Sequence, residues 1–90
     1  MIYPFMTLED NTEIVHSEVL SDNQSVKVYI EKPVSGGFHS AECYLPAYEW
    51  KNIEGFTTNE IEYYQSFLES VAHIILRLAK EGGFDNAANF

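Results

Sequence analysis

Cationic side chains are scarce in this chain: five lysines and arginines stand against 14 aspartates and glutamates, a formal net charge of −9. A field of that sign repels phosphate backbones and anionic headgroups, so neither nucleic acid nor a membrane surface is expected as a partner, whereas a basic protein is compatible with it. Cysteine occurs once, as Cys43. An internal disulfide is therefore excluded, and with it a disulfide-stapled secreted scaffold; a reducing cytoplasm is the expected location. Long apolar runs are absent as well. The longest, Ile74-Ile75-Leu76, falls far short of the ~20 residues a membrane span needs. The opening Met1-Ile2-Tyr3-Pro4-Phe5 has no basic, signal-like region.

Motifs that carry chemistry are missing too. There is no P-loop, no G-x-G-x-x-G and no G-x-S-x-G, and Gly82-Gly83 follows a helical pattern, the wrong context for a phosphate loop. His16, His39, His73 and Cys43 are zinc donors by type, yet no pair has the spacing that preorganises a metal site. His39 and Cys43 share strand parity, but the pattern makes Cys43 a core residue, and a buried thiol without a nearby positive charge is inert. The acidic pairs Glu9 with Asp10 and Glu60 with Glu62 fall where turn and helix-start chemistry explain them. No catalytic residue, metal ligand or cofactor is expected.

What is present suffices for one packed core. The chain has 90 residues, 46% apolar and 14% aromatic, which separates it from the polar composition of disordered segments. One α+β domain is expected over 1–83, with 84–90 a mobile tail. Apolar segments at 2–8, 14–20, 26–30 and 38–45 alternate with 9–12, 21–24 and 33–37, rich in the Asp, Asn, Ser and Gly that turns select. They predict a four-stranded antiparallel meander.

Tight hairpins centred on Asp10-Asn11, Asp22-Asn23 and Gly36-Gly37 would set Met6 opposite Val15, Val15 opposite Ile30, and Ile30 opposite Cys43. Further rows hold Ser17, Val28 and Leu45, then Ile2, Val19 and Val26, a nearly continuous aliphatic face. The other face would carry an aromatic row of Phe5, His16, Tyr29 and Tyr44, with Glu18 opposite Lys27.

Thr57 followed by Glu60 fits a capping box, with Phe56 and Ile61 placed as a hydrophobic staple. From 59 to 81 the residues Ile61, Tyr64, Leu68, Val71, Ala72, Ile75, Leu78 and Ala79 recur at three and four, an apolar stripe that predicts one long helix packed on one sheet face. Gly82-Gly83 ends it. At roughly 34 Å against about 24 Å for a seven-residue strand, the helix should overhang the sheet. Tyr63, Phe67 and Ile74 form a second strip beside the core stripe. The aromatic connection at 45–56 is expected to close one end of the core, or to rim a pocket with Tyr48 and Trp50.

Together these features predict a small, acidic, non-enzymatic protein-interaction module that forms a homodimer. The candidate surfaces are the aromatic sheet face (Phe5, His16, Tyr29, Tyr44) and the helix strip (Tyr63, Phe67, Ile74), with a basic protein as a second partner. Small sheet-plus-helix antitoxins and inhibitors are analogous as a class, which assigns no residue. The rival is a ligand-binding or enzymatic domain with its pocket near Tyr48 and Trp50.

Overall fold

The structure, a computed structural model, describes residues 1–82; the expected tail at 84–90 lies outside them. Five strands precede one helix: β1 Ile2–Thr7, β2 Glu13–Ser17, β3 Val26–Val34, β4 Gly37–Leu45, β5 Glu49–Glu54 and α1 Thr58–Glu81. The strands form one antiparallel meander in the order β1-β2-β3-β4-β5. The α+β class and the C-terminal helix are as expected. The expected four strands become five, because the connection read at 45–56 contains β5, which pairs with β4 through Cys43↔Trp50 and Tyr44↔Glu49. Its Glu49, Lys51 and Glu54 hide the alternation that identifies a strand, and such charges suit a sheet edge.

Turn geometry moves every expected register. The β1–β2 turn carries Leu8 N–H to Thr12 O at 2.8 Å and Asn11 N–H to Leu8 O at 2.9 Å, with Asn11 at φ 68°. This is a three-residue loop with Asn in the left-handed region, not a two-residue hairpin. Val15 consequently faces Pro4 instead of Met6, and the ladder shifts again between Pro4 and Met6, as at a bulge.

Between β2 and β3 the Ser17 hydroxyl accepts the Lys27 amide at 2.9 Å and donates to Glu18 O at 2.7 Å. The ladder beside it pairs Ile14↔Ile30 and His16↔Val28, one residue from the expected register, and a one-residue slip turns the strand over. Ile14 and His16 therefore face the helix and Val15 faces away. In β3–β4 the turn is Ser35-Gly36, with Gly36 at φ 85°, and pairing runs unbroken from Val26↔Leu45 to Val34↔Gly37. That slip is two residues, so the faces of both strands survive.

The core joins Ile14, Val26, Val28, Ile30, Ala41, Cys43 and Leu45 of the sheet to Tyr64, Leu68, Ala72, Ile75 and Ala79 of α1, with Phe56 closing one end. Thr57 caps the helix: its hydroxyl accepts Glu60 N–H at 3.1 Å and its amide donates to the Glu60 carboxylate at 2.9 Å. Gly82, at φ 84°, ends it in the left-handed conformation, which glycine adopts without steric cost.

Candidate functional site

The expected aromatic row does not exist as one surface. Phe5 is half-buried against the core, and His16 is fully buried with its ring 5.5 Å from Tyr3. Both lie on the helix side, because β2 pairs with β3 one residue from the expected register and β1, beyond its ladder shift, keeps its parity with β2. Tyr29 and Tyr44 remain on the open face as diagonal neighbours, since Tyr29 pairs with Glu42 and Tyr44 with Lys27. The expected Glu18–Lys27 pair is likewise replaced: Lys27 meets Glu42 at 3.8 Å. Glu42 also accepts from Asn52 at 2.9 Å, and the Lys51 ammonium lies 5.1 Å from the Tyr44 ring centre. Around Tyr44 the open face is thus a charge-paired, solvated sheet surface of the kind antiparallel sheets tolerate.

His16 Nδ1 lies 2.8 Å from Ser17 O. Since a carbonyl only accepts, Nδ1 is the donor in this contact. Cys43 is fully buried, and burial pushes its thiol up to about 12, so the nucleophilic thiolate is essentially unpopulated at neutral pH. His39 pairs with Lys32 across β3–β4, two ladder positions from the Ala41↔Ile30 pair, and its ring packs edge-on against Phe56 at 5.7 Å. Gly55, at φ 89°, lies so close that a Cβ there would be 2.1 Å from His39 Cδ2. Among the described residues no three His, Cys, Asp or Glu side chains are grouped to hold a metal ion.

Tyr48 and Trp50 pack at the β4–β5 corner against the core, and Trp50 Nε1 donates to Gln65 Oε1 at 2.7 Å. Burial, with Glu69 nearby, raises the Tyr48 phenol above its ordinary value. Neither residue lines a surface cavity of about 560 Å³ between the β1–β2 turn and the first helical turn. That cavity is bordered by Leu8, Asp10, Lys32, Glu60, Tyr63 and Tyr64. Lys32 Nζ stands 3.8 Å from Asp10 and 3.7 Å from Glu60. Nothing in the sequence pattern signals this triad, because its members come from a turn, a strand and a helix cap.

Cations divide sharply between sheet and helix. Lys27, Lys32 and Lys51 each meet a carboxylate within 4 Å, at 3.8, 3.7 and 3.0 Å respectively. Arg77 and Lys80, both exposed on α1, have no ion pair among the described residues. On the flank of the same helix Tyr63 is 62% exposed, and Phe67 and Ile74 are half-buried. Among the described residues no helix is long and apolar enough to cross a membrane. No protein-family model matches the chain, and neither does any curated protein or solved structure.

Proposed function

We propose that the protein is a small, acidic, non-enzymatic interaction module that associates with a second copy of itself. The strip of Tyr63, Phe67 and Ile74 supports this most directly: Tyr63 is exposed and Phe67 and Ile74 are only half-buried, Phe67 against the edge of the core, so the helix flank keeps apolar surface in water, and such surface marks interaction sites. The titratable groups point the same way. The thiol is protonated, the histidines are separated, and Asp10 and Glu60 at the cavity by the first helical turn are engaged with Lys32. A role in the manner of small antitoxins or inhibitors, in the cytoplasm, fits the acidic charge and the unpaired Cys43.

Sedimentation equilibrium over a tenfold range around micromolar concentration tests self-association. Twice the chain mass is expected, falling toward the monomer on dilution; a monomer mass throughout removes the proposal. A basic protein remains the second partner, supported by the acidic row of Glu13 and Glu31, directly opposed across β2–β3. Like charges in that position destabilise a sheet unless a counter-charge covers them.

A further inference from the structure

We infer that the two copies meet through an antiparallel helix pair, with Ser70 at the two-fold axis and Tyr63, Phe67 and Ile74 forming the seam. This rests on the self-association proposed above and names its surface. Residues 63, 67, 70 and 74 follow one another at four, three and four, the spacing of a coiled-coil seam. They are Tyr, Phe, Ser and Ile on the flank of a 24-residue helix whose other stripe is buried against the sheet. Ser66 and Ser70 are exposed and small, so two helices can approach closely where they cross.

Charge decides the direction. Residues 58–69 of the helix carry Glu60, Glu62 and Glu69 with no base, whereas residues 70–81 carry Arg77 and Lys80 with Glu81. A parallel pair would set the acidic halves against each other. An antiparallel pair sets each acidic half against the partner's basic half, opposes the helix dipoles favourably, and has the self-complementary symmetry of a two-fold interface. Phe67 then meets the partner's Ile74, and Tyr63 meets the partner's Arg77, whose guanidinium suits a tyrosine face. Arg77, which has no ion pair among the described residues, thereby finds a partner across the interface.

Other routes are blocked. Pro4 in edge strand β1 has no N–H to offer another strand. At the opposite edge, β5 combines Glu49, Lys51 and Glu54 with Asn52 at φ 53° and a shifted ladder opposite Ser40 and Glu42. Both are devices that keep a sheet from extending. On the open face Lys27 and Lys51 are paired with carboxylates, and the opposed Glu13 and Glu31 would repel the same acidic row of a second copy.

Disulfide trapping of the full-length chain is the test. Ser70→Cys would place two thiols near the symmetry axis, where a disulfide needs Cβ atoms roughly 3.8 Å apart, while Val15→Cys would place one in the middle of the open sheet face. Under mild oxidation Ser70→Cys should form covalent dimer readily, and Val15→Cys and the wild-type chain should not. Arg77→Glu should raise the dimer dissociation constant about tenfold with an unchanged far-UV spectrum. A dimer that is trapped through Val15→Cys and is indifferent to Arg77→Glu overturns the helix seam while leaving self-association intact. A chain that is monomeric at every concentration overturns both.

Discussion

The β3–β4 ribbon and the β1–β2 pair are built from equally apolar residues, yet their architectures differ. In the ribbon nine consecutive pairs run without interruption, and Val26, Val28, Ile30, Ala41, Cys43 and Leu45 are all fully buried. In β1–β2 the ladder shifts between Pro4 and Met6, Tyr3 and Phe5 are half-buried, and Ile2 is 52% exposed. The ribbon alternates strictly: Lys27, Tyr29 and Glu31 interrupt its aliphatic residues, so only one parity can face the core. The segments Ile2-Tyr3-Pro4-Phe5-Met6 and Ile14-Val15-His16 are apolar at both parities, so the choice passes to the turn and to one serine hydroxyl. Where side-chain pattern is decisive, turn length is secondary; where it is degenerate, turn length decides.

The largest test of that contrast substitutes the same residue type in both regions. Ile30→Ala should cost about 2–5 kcal/mol, because it opens a cavity in a close-packed core, whereas Ile2→Ala should stay within about 0.5 kcal/mol. Urea denaturation midpoints at fixed protein concentration measure both, and equal costs would erase the distinction.

Ser17→Ala should be next, at about 1–3 kcal/mol, since it leaves the Lys27 amide without its acceptor in a partly buried position. Amide exchange at Lys27 should accelerate along with the loss in stability, and an unchanged Lys27 rate would mean that the hydroxyl does not hold the register.

Asn11→Ala should cost about 1 kcal/mol through strain at φ 68°, and Asn11→Gly should be neutral or mildly stabilising because glycine adopts that conformation freely. Thermal melts of the two variants separate strain from the loss of a side chain.

The smallest effect is on acid stability. Asp10 is held below its ordinary 3.8 by the Thr12 hydroxyl and amide, and Glu60 below its ordinary 4.5 by the Thr57 amide, with Lys32 adding to both. Depressed folded values mean that both carboxylates stabilise the fold fully at neutral pH. That contribution begins to fade as the pH enters the ordinary carboxylate range and is lost below their folded values. The stability gap between wild type and Glu60→Gln should therefore be widest near about pH 7 and close toward about pH 3. A gap independent of pH would show that the Glu60 charge is immaterial.

The same contrast explains what was legible in the sequence. The helix was, in detail: Thr57 and Glu60 form the reciprocal cap, and Tyr64, Leu68, Ala72, Ile75, Leu78 and Ala79 are the buried stripe. Its signals are local and redundant. The faces of β3 and β4 were legible for the reason already given. Strand β5 was not, because an edge strand selected for charge does not alternate in hydrophobicity, and its position depends on pairing with β4. The faces of β1 and β2 were not either, and with them went the contiguity of Phe5 and His16 with Tyr29 and Tyr44. The triad of Asp10, Lys32 and Glu60 was beyond reach, since it is assembled by the register and by the angle of the helix on the sheet.

Cys43 gives the protein a built-in clock. Its thiol is enclosed by the ribbon and held almost wholly protonated, so a thiol-specific reagent in neutral solution must wait for the ribbon to open. Each alkylation therefore records an excursion from the native fold, and at low reagent occupancy the labelling rate reports the opening equilibrium with no engineered probe. For a self-associating chain the clock should slow as protein concentration rises, because the dimer adds its own free energy to the native side. A single inert sulfur thereby couples assembly and folding in one chemical readout.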